Sequence, residues 1–496
     1  MDFLVTAPEM LASTAADVEE IGSAIANANA SAAGPTTGLV AAAEDEVSQA
    51  IAKLFGGYGQ QYHAVLTRAA AFHDEFAQAL AAARNAYAQA EATNAAAIST
   101  LLGGTSVANS GSNSTSTLTS IVKASGDPLV ALVMGGTANP GPDLGYLNAV
   151  AQAYLLPRFP ALQLSNVFQQ FTPEQFWPVT PQLGGLTFEQ SVAQGVSLLD
   201  SGIKAQLALG NSVVVFGYSQ SATIANNEIN ALMALPANLR PDATQLSFVL
   251  TGDPNNPDGG LLARFPGFYI PILDVAFNGA TPPNSVYPTA IYTGQYDGIA
   301  DAPQYPLHVL SDVNAFLGYF FVHNTYPLLT PDQVANAVPL PTSPGYTGST
   351  QYYMIMTQDL PLLDLIRDIP YAGPPIADIF QPDLRVLVDL GYGDIGPGYG
   401  YANVPTPASL LSVPNLPVIA ADLAIGAVQG PYAAVIDIGI EAGAWGPNLL
   451  PNTYPYVPSP DPHLHLFLGQ PSVTGLSRLS GALGKVLELI PPNLFE

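Results

Sequence analysis

The sequence predicts an α/β protein, a parallel sheet with helices on both faces, preceded by an all-α antiparallel helical hairpin. Three observations carry this. Short apolar runs recur between residues 129 and 293 and alternate with segments of helical spacing. The first hundred residues are rich in Ala, with an apolar side chain at every third or fourth position. Between the two regions lies a stretch of Ser, Thr, Asn and Gly with hardly an apolar residue. A chain of 496 residues has length for two or three domains, each with its own core.

The hairpin occupies residues 1–95. Pro8 suits a first helical turn, and Leu11, Ala15, Val18, Gly22 and Ile25 form one stripe of a helix. Gly34 and Pro35 stop that helix, and a second pattern follows through Val47, Ile51 and Leu54, then Tyr62, Leu66, Phe72, Phe76 and Leu80. So short a turn makes the pair antiparallel. Two helices alone leave part of each stripe open, which either a partner helix pair or the rest of this chain would cover. Residues 96–126 read as a flexible linker.

Residues 127–394 carry the sheet. Leu129 to Met134, Ser212 to Phe216, Leu246 to Leu250 and Pro288 to Thr293 are Val-, Leu- and Ile-rich runs that need cover on both faces. Thr187 to Leu209 and Ala222 to Leu235 carry helical spacing. After about Tyr346 the pattern weakens, and Gly391 to Tyr401 reads as exposed loop. Residues 395–496 form an extension, a lid or accessory layer. Its apolar stretch from Leu416 to Trp445 is broken by Asp422, Pro431, Asp437 and Glu441, so a packed segment is expected and no transmembrane helix.

Composition excludes several functions. The balance of 12 Lys plus Arg against 38 Asp plus Glu gives a formal charge of -26, which a nucleic-acid backbone would repel. With no cysteine there is no disulfide, thiolate metal site, iron-sulfur cluster or cysteine nucleophile. No phosphate loop, dinucleotide fingerprint or metal-ligand cluster is present, so no cofactor is expected. Met1 to Ala16 has neither a basic start nor a compact apolar core, so no Sec signal peptide is expected.

Chemistry concentrates beyond the carboxyl ends of the strands, as a parallel sheet requires. In Val213-Val214-Val215-Phe216-Gly217-Tyr218-Ser219-Gln220-Ser221, a buried strand runs through a Gly-x-Ser-x-small turn into a helix, the setting of a nucleophile elbow. Gly217 and the small Ser221, where glycine is usual, let strand and helix approach. The backbone N–H of Gln220 at the helix start suits a developing oxyanion, and the turn Gly135-Gly136-Thr137 offers a second donor, the Thr137 N–H or hydroxyl. An alternative reading of the same glycines is relief of crowding at that turn.

A serine hydroxyl needs an oriented base. Of six histidines, His63 and His73 fall in the hairpin, and His463 and His465 share one face as a surface pair. His308 and His323 remain. The order Ser, acid, His selects Asp297, after the strand ending at Thr293, with His323; Asp301 as acid and His308 as base stay open. Asp253 reads as a strand-end turn residue beside Pro254.

These residues carry a resemblance. Pro8-Glu9, the Ala-rich helices, Ala43-Glu44-Asp45-Glu46-Val47 and Phe72-His73-Asp74-Glu75-Phe76 resemble the PE domain of the mycobacterial PE family, and Tyr87 with Glu91 fits that family's Tyr-x-x-x-Asp/Glu signal for type VII secretion. The resemblance implies a hairpin that pairs with a PPE-family protein, recognition by a secretion chaperone, and export to the cell wall or surface. The region from about Asp127 to Asp394 is similar to the PE-PPE domain, a cutinase-like α/β-hydrolase module, through Met134-Gly135-Gly136-Thr137, Gly217-Tyr218-Ser219-Gln220-Ser221, Tyr296-Asp297-Gly298-Ile299-Ala300-Asp301 and His323-Asn324-Thr325-Tyr326. That implies Ser219 as nucleophile, Asp297 as acid and His323 as base. It also implies carboxylic esters of short to medium acyl chains as substrates, some relatives being acyltransferases on envelope glycolipids. A rival of another class is a non-catalytic surface protein whose α/β module is inert.

Overall fold

The computed structural model describes residues 128–393, 401–410, 416–446 and 473–490, with isolated residues among the first 63. The helical hairpin as a whole, Tyr87, Glu91, His73, His463, His465 and the linker lie outside the described residues. The chain divides into two compact units, Met1–Thr117 and Leu118–Glu496, and the sheet belongs to the second.

The strands are β1 (Leu129–Val133), β2 (Val167–Gln169), β3 (Ser212–Tyr218), β4 (Leu246–Thr251), β5 (Tyr269–Ile270), β6 (Val275–Ala276), β7 (Thr289–Gly294), β8 (Val338–Pro339) and β9 (Thr350–Ile355). The helices are α1 (Leu144–Val150), α2 (Phe188–Ala208), α3 (Gln220–Ala234), α4 (Leu261–Arg264), α5 (Val309–Phe321), α6 (Pro331–Ala335), α7 (Pro361–Arg367), α8 (Gly373–Asp389), α9 (Leu416–Glu441) and α10 (Gly475–Leu487). One sheet has the order β2-β1-β3-β4-β7-β9-β8, and every pairing in it is parallel except β8 with β9. Strands β5 and β6 form a separate antiparallel hairpin.

Strand alternation explains why the runs are apolar at both parities. Val213 and Val215 point into one cluster with Val192, Leu199 and Ile203 of α2 and Ile224 of α3. Val214 and Phe216, on the opposite face, meet Leu147 and Val150 of α1, Tyr154 and Val334 of α6. Both faces are covered, so both parities must be apolar. Helix α2 begins where Thr187 and Gln190 form a reciprocal capping box. A third cluster joins Tyr296 to Leu360, Leu363, Ala377, Val388 and Tyr392. Here the sequence reading is corrected: Tyr392, expected in exposed loop, is fully buried, with its ring 5.5 Å from that of Tyr296.

The extension departs from expectation in one respect. Helix α9 runs unbroken for 26 residues through Pro431 and packs against α8. It is long and apolar enough to cross a membrane by length and composition, with a mean hydropathy of 1.5, and one third of that stretch is buried. Its buried face includes Ala434 and presents Gly426 and Gly430 to α8; Val428, Tyr432, Val435 and Ile438 face outward.

Candidate active site

The carboxyl ends of β3, β4 and β7 converge on one point. At the end of β3 the chain turns directly into α3, and Ser219 between them takes φ 57° and ψ −119°, a conformation rare for a residue with a side chain. Gly217 is required here, because a Cβ on it would come within 2.7 Å of the Ser221 carbonyl oxygen. Ser221 is fully buried; its hydroxyl accepts the Tyr218 N–H at 2.8 Å and donates to the Tyr218 carbonyl at 3.1 Å. The serine that replaces the usual glycine thus closes the turn with its own hydrogen bonds.

His323 follows α5 and is delivered to the turn from the other side. Its Nε2 lies 2.8 Å from Ser219 Oγ, and its Nδ1 lies 2.9 Å from each carboxylate oxygen of Asp297. Asp297 is fully buried, and the Ile299 N–H donates to its Oδ1 at 2.9 Å. Between the two acids the structure distinguishes clearly. Asp301 accepts the Tyr296 N–H at 2.7 Å and braces the turn behind Asp297. His308 stands at the opposite end of α5, its ring beside Tyr305. Asp253 accepts from Thr281 and from the Asn255 N–H, the strand-end turn expected of it.

Three tyrosines that the sequence reading left without roles hold this constellation. Tyr326 donates its hydroxyl to Asp297 Oδ2 at 2.7 Å and accepts the Gly294 N–H at 2.6 Å. Tyr218 donates to the His323 carbonyl at 2.7 Å, with its ring 5.5 Å from the imidazole. Tyr319 stacks on the imidazole at 5.7 Å and 21°. The motif His323-Asn324-Thr325-Tyr326 contains the signal for Tyr326, since three residues along a 3₁₀ turn return to the same side.

The turn after β1 faces the elbow. A Cβ on Gly136 would approach the Tyr218 ring to 2.8 Å, so crowding demands glycine there. The Thr137 hydroxyl donates to Gln220 Oε1 at 2.9 Å, which leaves the backbone N–H as the group of Thr137 open to a ligand. The Gln220 side-chain amide in turn donates to the Gln175 carbonyl at 2.9 Å and to Ser191 Oγ at 3.0 Å. Behind it Glu174, also buried, accepts the Ala138 N–H on its carbonyl at 2.9 Å. Burial pushes the Glu174 carboxyl up to about 8 despite the hydrogen bond from Thr172.

Ser219, Gln220 and His323 open into a cavity of about 500 Å³ whose walls are largely apolar: Phe176, Val179, Phe188, Leu262, Ile270, Val275 and Phe277. A tight strand-to-helix serine, an imidazole paired with a buried carboxylate, and an apolar cavity on a mostly parallel sheet place the molecule in the α/β-hydrolase class. The PE-PPE domain family matches residues 165–393, and the PE family matches residues 4–94. PE family protein PE3 of Mycobacterium tuberculosis is 57% identical over 99% of this chain and 100% of its own length. Esterase PE16 of the same organism is 45% identical over 88% of this chain and 77% of its own. A cutinase-like protein from Cryptococcus sp. aligns over 36% of this chain and 81% of its own, at 20% identity and a TM-score of 0.25. The chain belongs to the PE family.

Proposed function

We propose that the protein is a serine esterase that cleaves carboxylic esters of short to medium acyl chains through an acyl-enzyme. The observation that carries this reading is the distance of 2.8 Å from Ser219 Oγ to a His323 imidazole whose other nitrogen sits on buried Asp297, at the mouth of an apolar cavity. Similarity to Esterase PE16 supports it.

In this mechanism Ser219 Oγ attacks the ester carbonyl carbon while His323 Nε2 takes its proton. Asp297 keeps the imidazole in the tautomer with Nδ1–H, and balances the charge of the imidazolium that forms. The N–H groups of Gln220 and Thr137 receive the oxyanion; Gln220, first in its helix, has no intrahelical acceptor for its N–H. His323 returns the proton to the leaving alcohol, the acyl group stays on Ser219, and water activated by the same imidazole releases the acid. The apolar cavity suits the acyl chain.

The test is hydrolysis of a p-nitrophenyl ester series by the full chain beside Ser219→Ala, with labelling of Ser219 by a fluorophosphonate. Turnover should fall on the order of 10⁴-fold or more in the variant. Activity surviving in Ser219→Ala, or no labelling and no turnover in the parent chain, would sink the reading.

For the N-terminal segment, the PE family match over residues 4–94 supports a hairpin that pairs with a PPE protein, and with it export by a type VII route to the cell wall or surface. Co-purification with a co-expressed PPE protein tests the pairing, and fractionation of envelope from cytoplasm tests the export; a chain confined to the cytoplasm would exclude it.

A further inference from the structure

Helix α5 is amphipathic the wrong way round for a helix that packs on a core. Val309, Val313, Phe316 and Phe320, spaced four, three and four apart, form its apolar stripe, and they are 69%, 42%, 65% and 51% exposed. Its buried face consists of Ser311, Asn314, Ala315 and Gly318. The reason is close packing. A Cβ on Gly318 would overlap the Tyr296 carbonyl oxygen, and Gly298 meets Ala315 in the same way, so α5 lies directly on the loop that carries Asp297. Only small residues fit at those contacts; Leu310, partly buried, packs beside them on the third cluster. Nothing in that requirement puts large apolar residues on the opposite side, where water would favour polar ones.

The stripe is continuous with the candidate active site through a chain of rings. Phe316 meets Phe320 edge-on at 5.3 Å, Phe320 meets Tyr319 at 5.1 Å, and Tyr319 both stacks on His323 and lines the cavity. Whatever covers Phe316 and Phe320 therefore stands at the rim through which an ester must enter. A protein partner there would obstruct the mouth, whereas a lipid surface covers the ridge and brings esterified chains to it. Charge narrows the choice. Helix α5 carries Asp312 and no cation, and the whole chain has a formal charge of -26, so anionic headgroups are repelled.

We propose that the ridge Val309, Val313, Phe316 and Phe320 seats the protein on an electrically neutral lipid surface, with the mouth of the Ser219 cavity facing the lipid. The choice of lipid over protein rests on the esterase reading, but the binding is measured apart from it.

The experiment is flotation of the full chain with phosphatidylcholine vesicles, beside the double variant Phe316→Ser/Phe320→Ser and the apolar control Phe316→Leu/Phe320→Leu. Hydrolysis of p-nitrophenyl acetate, a soluble ester, is followed in all three. Burial of even part of one Phe in lipid is worth about tenfold in partitioning. The parent chain and the leucine variant should float, the serine variant should bind at least about tenfold more weakly, and all three should hydrolyse the soluble ester alike. Vesicles with a third of their lipid anionic should bind less of the parent chain. A parent chain that hydrolyses the soluble ester but stays off neutral vesicles overturns the proposal and leaves the esterase reading intact. Equal flotation of the serine variant overturns it as well, as does a concentration-dependent dimer that the serine variant abolishes while the parent chain ignores vesicles, which would make a second copy the occupant. Absence of soluble-ester turnover strikes the esterase reading alone, since flotation reads the ridge without it.

Discussion

At Asp297 a carboxylate is fully buried with no Lys or Arg at hydrogen-bond distance among the described residues, and its charge is supported by His323 Nδ1, the Ile299 N–H and the Tyr326 hydroxyl. Hydrogen bonds to a charged group contribute about 1.5–3 kcal/mol each, so the phenol is a large share of what keeps this carboxylate oriented. Tyr326→Phe removes that donor and also strips the Gly294 N–H of its acceptor. The expected outcome is a kcat about tenfold lower with KM little changed, because the side chain lies behind the acid and away from the cavity. The variant should also unfold at lower temperature, a loss of about 1–3 kcal/mol. Steady-state kinetics on the p-nitrophenyl ester series checks the split; a raised KM at constant kcat would place Tyr326 in substrate binding instead. That Ser219, Asp297 and His323 come together was legible in the sequence, because a strand-turn-helix pattern and a fixed chain order point to them. The roles of the tyrosines were not, because a phenol that supports a carboxylate looks in sequence like any core aromatic; the spacing in His323-Asn324-Thr325-Tyr326 puts Tyr326 on the side of His323, but only the fold brings its hydroxyl to Asp297.

Among the elements, those with two-sided burial were read nearly to the residue. Strands β1, β3, β4 and β7 fall within two residues of their expected ends, since a short run with no charged residue and few polar ones admits one interpretation in an α/β chain. The far side of the sheet was missed: β9, Thr-Gln-Tyr-Tyr-Met-Ile, lies between β7 and the edge strand β8, has less buried positions at Gln351 and Tyr353, and sits in Pro-, Gly- and Tyr-rich surroundings that mask it. Helix α5 was missed for a different reason: Leu310, Leu317 and Phe321 join its stripe, so no polar face marks a helical period after Asn314. Its position depends on Gly318, so a methyl group there is a direct test of how rigidly the helix sets His323. Gly318→Ala forces the Tyr296 carbonyl and α5 apart. Overpacking of this kind costs about 1–3 kcal/mol, and a shift of even a few tenths of an ångström lengthens the contact of 2.8 Å between His323 and Ser219. The variant should melt several degrees lower, at about 2–4 °C per kcal/mol, and lose activity beyond its loss of folded fraction. Thermal melts read beside fluorophosphonate labelling rates separate the two effects; full labelling at the parent rate would show that α5 does not position the imidazole.

Over the whole molecule, buried acids set the response to pH. Burial is the largest cause in each case: it raises Asp253 to about 6, Asp389 to about 7, and Asp301 and Glu174 to about 8. A carboxyl whose folded pKa exceeds its unfolded value holds its proton longer in the folded chain. Between about pH 4 and the folded pKa the folded state therefore binds more protons than the unfolded one, and stability falls as pH rises through that window. As these groups finally ionise they add to a formal charge already at -26, so repulsion acts in the same direction and salt should oppose it. The melting temperature is thus expected to be highest near pH 5 and to decline steadily to pH 8.5, less steeply in 0.5 M NaCl than in 0.05 M. Glu174 isolates one contributor, because its Oε2 is buried with no hydrogen-bond partner among the described residues. Glu174→Gln removes a proton-linked group that spans the window from 4.5 to about 8. The variant should match or fall slightly below the parent chain at pH 5 and exceed it at pH 8.5, with the gap widening steadily between. Melting curves of both proteins across that range decide the matter. Parallel curves would mean that Glu174 reaches water or a counter-charge in solution and stays ionised in the folded chain, and a parent chain most stable at pH 8.5 would mean the same for the buried acids together.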